Sequence, residues 1–499
     1  MGDENTVLQE PEARHFLRRT GFGFTKRELD RYTGLTRGQA VDLLYDFRLS
    51  TFEPRGRELY DAQAKWIKKM VTTTAPLREK LVLFWHDHFA TNYATVQDVR
   101  LMTRQNRLLR MNCIGNFKDL MKAINKDPAM MVFLDTDENF RFQPNENYAR
   151  ELMELFTLGV LDAGGQPNYT QADITQIARA FTGWTFDDRY NAYLEGGDGD
   201  LDGGNNCDDF YAVGNHDYAV CYSERGPKVI FKDTGRFGIN GRDFTEDGEG
   251  EAEIDKVIDI IFEHRDSAMK NTVARYIGRR LFEYFAYSGP NVAVIDELVQ
   301  SSSFDPNFEI ADYLRALFTH DEFYVTMESP VTGTRRSVKW PADLFAGTLR
   351  TLGVRTKGRY QYVSGGNYID AIGHLQSMGQ ELFEPPSVFG WDLETAWISS
   401  ASLLARIGLM RDATAARDGG GTSFRPQKLV DLELSEPNDI VDAVLEALGM
   451  AGQLTAAERQ ALVDYLGPGP LDLSDYDTRN IKLHGLFSLV LQSPVYQTH

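Results

Sequence analysis

The sequence predicts a mainly α protein: a multi-helix globular body with one irregular Gly/Asp-rich insertion that contains a small β-hairpin. Three observations predict it. Apolar residues recur at helical spacing through positions 10–185, where strand-like alternation is almost absent. Positions 186–250 are rich in Gly, Asp and Asn, which break regular structure. Helical periodicity then resumes and runs nearly to the end of the 499 residues.

The N-terminal helical part, 10–185, carries amphipathic helices expected at Thr25–Tyr32, Arg37–Phe47, Asp61–Thr72, Pro76–Ala90, Val96–Met111, Asn116–Lys126, Asn145–Leu158 and Thr170–Thr182. The insertion, 186–250, contains aromatics and two of the three cysteines, so it reads as folded loop rather than linker, with a hairpin near Lys228–Phe231. A central helical part, 251–335, holds Glu251–His264, Ser267–Tyr287, Val292–Ser301 and Ile310–Thr319. The C-terminal part, 336–495, is helical from Val338 to Ser493 apart from a Gly- and Arg-containing loop at Ala416–Gln427. No repeat or heptad array divides the chain.

Composition narrows the function classes. With 42% hydrophobic residues the chain is long and apolar enough for real cores. A net charge of −20 repels phosphate backbones and anionic lipid, which argues against nucleic acid as a partner. The longest apolar runs, Ala129–Leu134 and Leu486–Leu491, fall far short of the roughly 20 residues a membrane helix needs, so no span is expected. The N-terminal stretch has no basic segment followed by an apolar one, so no secretory signal is read there. Cys207 and Cys221 flank a loop of about 15 residues whose closure is worth roughly 3 kcal/mol in the chain-entropy picture. Their pairing would suit an extracellular or periplasmic protein; Cys113 reads as a small buried hydrophobe.

The run Asn145–Gly159 (NENYARELMELFTLG) is the most informative segment. Asn145 is a good N-cap and Gly159 can close the C-terminus. At about 100° per residue, Tyr148, Ala149, Leu152, Leu155 and Phe156 form an apolar arc, while Asn147, Glu151 and Glu154 share the opposite side, with Arg150 spaced to brace either Glu146 or Glu154. Together with YTQADITQIARAFTGW (Tyr169–Trp184), HFLRRTGFG (His15–Gly23), REKLVLFWHDHF (Arg78–Phe89), His216–Asp217 with GPKVIF downstream, ARYIGRRLFEYF (Ala274–Phe285) and PPSVFGW (Pro385–Trp391), this segment resembles the domain of unknown function 1800 family over nearly the whole chain. The resemblance implies a mainly helical, often exported protein. It carries over no catalytic residues, so chemistry has to be read from the side chains.

The strongest ligand signal lies in the insertion. Asp198, Asp200, Asp202, Gly204 (through its carbonyl), Asn206 and Asp209 place hard oxygens at alternating positions around the Gly203 turn, as a structural calcium ion requires. Asp209 stands where a long bidentate Glu is usual, and no flanking EF-hand helices are evident. Eight acids against one arginine between Asp187 and Asp209 also favour a bound cation over a bare acidic loop.

Other candidates are less specific. In WHDH, His86 and His88 point about 160° apart on a regular helix and cannot grip one ion; His88 falls on the apolar stripe with Leu81 and Phe84, either as a core histidine or as a base or second-metal ligand meeting Glu151 or Glu154. His216 and Lys228 flank the insertion. One pocket lined by Asn147, Glu151, Glu154, His88 and His216, with Lys228 or Arg150 balancing charge, is the sharp expectation; a solvated acidic face is the plain one. Arg18 and Arg19 followed by Gly21 and Gly23 form a turn that could hold an anion, although it lacks phosphate-loop spacing and reads more simply as structure. Trp391 and Trp397 are either sugar-stacking rings or buried indoles. These readings lead to an exported, metal-associated enzyme, a hydrolase acting on an extracellular polymer or its fragments through a carboxylate/histidine site. The alternative is a non-catalytic, calcium-stabilised envelope or surface protein that binds carbohydrate or protein.

Overall fold

A computed structural model describes residues 3–46, 51–54, 58–194, 216–217, 227–235, 237–238, 240–244, 250–325, 337–354, 369–391, 394–415 and 424–499. Among these residues the protein is mainly α, with two small antiparallel sheets of two strands each. The hairpin expected near Lys228 is there: Val229–Ile230 pairs with Arg242–Asp243, and its Phe231 N–H donates to Asp173 Oδ1 at 2.5 Å, tying it to the Gln171–Ala180 helix. A second ladder, Trp184–Phe186 with Ala192–Leu194, was not expected from the sequence. No helix among the described residues is long and apolar enough to cross a membrane.

The Pro76–His88 helix is the hub of this architecture. Its side chains from Leu77 to His88 are all buried, so it has no wet face, in contrast to the amphipathic helix the sequence suggests. The polar residues on it are tolerated because each meets a partner from a distant segment. The Arg110 guanidinium donates to both Glu79 oxygens. Lys80 pairs with Asp343 at 2.6 Å, both side chains nearly inaccessible. Asp87 Oδ1 accepts the Trp391 N–H at 2.7 Å, and His86 Nε2 accepts the Phe383 N–H at 3.2 Å. Gly390 makes the Asp87 contact possible: it sits at φ +78°, and a Cβ there would lie 2.4 Å from Asp87 Oδ1. Trp391 and Trp397 are both buried, so the indoles pack the interior and offer no face to a sugar.

Several expected helix boundaries move for local reasons. Val96–Met111 divides into Tyr93–Val96 and Val99–Asn112, because Gln97 takes a left-handed turn and Asp98 caps the second helix by accepting the Arg100 N–H. Ser267–Tyr287 starts later, at Thr272, where Asn271 accepts the Ala274 N–H as N-cap. Cys113 is a free, buried thiol whose burial pushes its pKa up to about 12, as its small-hydrophobe reading anticipates. Cys207 and Cys221 lie outside the described residues.

Candidate functional site: an acid pair on a widened helix

The Asn145–Leu158 helix is not one regular α-helix. After an α-helical turn at Asn147–Glu151, residues Leu152–Thr157 adopt π-helical geometry. Thr157 Oγ1 donates to the Leu152 carbonyl at 2.5 Å, and the Leu158 and Gly159 N–H groups both reach the Met153 carbonyl at 3.0 Å before Gly159, at φ +75°, ends the helix. The cause lies in tertiary contacts. The Tyr276 hydroxyl donates to the Leu155 carbonyl at 2.9 Å, His88 Nε2 to the Phe156 carbonyl at 3.1 Å, and Asn168 Nδ2 to the Leu158 and Gly159 carbonyls at 3.0 Å each. Orphan carbonyls of the helix end are thus satisfied by side chains from three other segments. His88 is committed to this capping. Burial among aromatic rings, reinforced by the Arg280 charge, holds its pKa down at about 3, so it stays neutral.

Of the expected apolar arc, Tyr148, Ala149, Leu152 and Phe156 are buried and Leu155 is only partly so, while Met153, outside the arc, is buried as well; Glu151 and Glu154 are half-buried. Because a π-turn rotates less per residue than an α-turn, the two acids splay further apart than an α-helix would set them. The Tyr169 hydroxyl donates to Glu154 Oε2 at 3.1 Å. Desolvation, then the Glu154 charge, raise the Glu151 carboxyl to about 7, against a smaller opposing pull from Arg150. No cation among the described residues lies within ion-pair distance of either acid. Arg150 pairs instead with Glu146 at 3.3 Å and donates to Gln171 Oε1 at 3.1 Å, while exposed Asn147 donates to Asp135 Oδ2 at 3.0 Å.

His216 and Lys228 sit elsewhere, in a buried network. The Lys228 ammonium donates to Glu253, and His216 Nε2 lies 3.4 Å from both Lys228 Nζ and Glu253 Oε2, all three side chains being essentially inaccessible. His216 Nδ1 lies 2.7 Å from the Thr182 carbonyl and so donates to it. Next to it, Arg179 Nε pairs with Asp217 at 3.0 Å. Every contact described for His88, His216 and Lys228 goes to these groups and none to Glu151 or Glu154, so the single expected pocket separates into an acid pair, a capping histidine and a buried ion network. Glu253 and Arg179 carry that network, and sequence reading missed both: Glu253 sits in GEGEAEIDK, which reads as a solvated first helical turn.

Past the end of this helix lies a cleft of about 120 Å³ bordered by Leu158, Leu161, Tyr276 and Ile295 and by the charged Asp162, Asp266, Arg275 and Arg279; neither Glu151 nor Glu154 lines it. Tyr276 is the shared wall: its ring packs against Gly159, where a Cβ would lie 3.0 Å from it, while its hydroxyl holds the Leu155 carbonyl. Asp198, Asp200, Asp202, Gly204, Asn206 and Asp209 lie outside the described residues. Within the described residues no cluster of three or more His, Cys, Asp or Glu side chains could hold a metal ion.

The family model for DUF1800, described as a protein of unknown function, matches residues 15–498. The chain belongs to the DUF1800 family. No curated protein and no solved structure matches it. For this DUF1800 chain, the chemistry therefore has to be inferred from the geometry above.

Proposed function

We propose that the protein is an exported hydrolase that cleaves an extracellular polymer or its fragments by acid–base catalysis at Glu151 and Glu154. One observation carries the reading: a half-buried carboxyl, Glu151, is held up at about 7 beside a second carboxylate that Tyr169 hydrogen-bonds. Two carboxyl groups whose environments differ in this way can divide the work. Glu151 keeps a proton near neutrality and donates it to the leaving group; Glu154 accepts a proton from the attacking water. Export remains tied to a Cys207–Cys221 disulfide, and metal association to structural calcium in the Asp198–Asp209 loop. Thiol titration of the unreduced protein and melting with and without chelator test these two separately.

The test of catalysis is a turnover screen over polysaccharide, peptide and polyester fragments, followed by Glu151→Gln and Glu154→Gln. Lost turnover with unchanged melting supports the assignment; retained turnover in both variants removes it. The competing reading, a calcium-stabilised surface protein that only binds its partner, draws on exposed apolar side chains at the cleft, where Leu161 and Val292 are 55% and 43% exposed. Saturable binding of a fragment that wild-type protein never cleaves would favour it.

A further inference from the structure

The Arg18–Gly23 turn, set aside above as structural, lines a small cavity that the proposed hydrolase chemistry does not use. The cavity, about 20 Å³, is bordered among others by Arg18, Gly23, Lys339, Asp343, Thr348 and His499. Gly23 is at φ +64°, and a Cβ on it would come within 3.2 Å of Gly347 Cα, so two glycines bring these backbones together.

The charges around this space do not balance. Lys339 is 8% exposed; its ammonium donates to the Tyr496 carbonyl at 2.6 Å and lies 3.9 Å from the Tyr496 ring centroid. Arg406, 1% exposed, donates to the Lys339 carbonyl at 2.8 Å and to Gln497 Oε1 at 3.3 Å. Arg18 donates to the Leu448 and Gly449 carbonyls at 3.2 and 2.5 Å. All these acceptors are neutral oxygens, and no carboxylate among the described residues reaches ion-pair distance of Lys339, Arg406 or Arg18. The helix dipole at Leu448 offsets part of the Arg18 charge. Asp343 borders the cavity, but Lys80 at 2.6 Å already matches its charge. A lone buried lysine could shed its proton, whereas guanidinium groups stay charged, so the surplus stays positive either way.

We propose that this cavity holds a single monatomic anion, chloride in the cell, which accepts from Lys339, offsets the unmatched guanidinium charge around it and ties the Arg18–Gly23 turn to the C-terminal helices. The size admits one such ion: the space exceeds the roughly 10–15 Å³ that one water needs. Donors are at hand in the remaining Lys339 protons; the Thr348 hydroxyl beside them is shared with Tyr496 Oη at 3.2 Å and Met410 Sδ at 3.8 Å. The competing occupant is a water, which could donate to Asp343 Oδ1, a buried oxygen without a hydrogen-bond partner.

Crystals of the full chain soaked in bromide distinguish the two. An anomalous peak between Lys339 and Thr348 is expected, together with a melting temperature that rises when chloride replaces gluconate at constant ionic strength. Lys339→Met should abolish that rise. If Lys339→Met fails to fold, the wild-type bromide map and halide series still decide. A water peak without anomalous signal, and identical melting in chloride and gluconate, overturns the proposal.

Discussion

Glu154 and Glu253 are both carboxylates on helices near the insertion, yet their surroundings are opposite. Glu253 is sealed in the interior with an ammonium and an imidazole against it, and its charge is spent on holding the hairpin strand to the Gly250–Glu263 helix. Glu154 is half-exposed, meets only a phenol, and shares its electrostatics with a second acid instead of a cation. Full pairing makes a carboxylate structural; at the open pair, partial desolvation and the neighbouring Glu154 charge raise the proton affinity of Glu151, which is what acid–base chemistry draws on.

The largest effect should come from breaking the sealed network. Lys228→Met leaves Glu253 charged and buried, and urea unfolding should show a loss of about 3–5 kcal/mol. Adding Glu253→Leu should recover most of it. A loss below about 1 kcal/mol would mean the network is not sealed, and the contrast fails. For the open pair the pattern reverses: Glu154→Gln should lower turnover by roughly 10²–10⁴-fold while changing stability by under about 1 kcal/mol.

The pH dependence sharpens the same contrast. Glu151 must be protonated to act as acid, so turnover should fall as pH rises through about 7. In Glu154→Gln the like charge is gone, and the Glu151 carboxyl titration followed by NMR should move downward. Stability follows with a defined sign. The folded pKa lies above the unfolded value of about 4.3, so the folded state holds the proton more tightly and stability declines from about pH 4.3 to about 7. Asp127, fully buried and pushed up to about 7 by desolvation, adds to the decline in the same window, and Asp127→Asn should flatten it. Smaller still is Tyr169→Phe, which removes one bond to a charged, half-exposed group and should cost about tenfold in turnover. Arg150→Ala should be nearly silent, within about 0.5 kcal/mol, because its partner Glu146 is a half-exposed i−4 neighbour.

The helices, the Val229–Ile230 hairpin, the core thiol and the buried indoles were legible because each has a local signature in spacing or composition. The π-segment was not. Its register depends on Tyr276 and His88 reaching carbonyls from 121 and 68 residues away. The hub helix was misread for the same reason: Glu79, Lys80 and Asp87 look like a wet face until Arg110, Asp343 and the Trp391 N–H are in place. Glu151 and Glu154 were found by periodicity. Their separation from His216 and Lys228 depends on how the insertion returns to the body, on which helical periodicity is silent.

The hub helix also sets an order on biogenesis. Its Lys80 counter-ion and the N–H that satisfies Asp87 come from residues 343 and 391, so during synthesis the first quarter of the chain emerges with Lys80 and Asp87 still lacking these partners, although Glu79 already has Arg110. Until those late segments leave the ribosome, the Pro76–His88 segment has to remain hydrated or shielded. Nascent chains halted before Asp343 should therefore be protease-sensitive throughout that segment, and chains extended past Trp391 should close over it in one cooperative step.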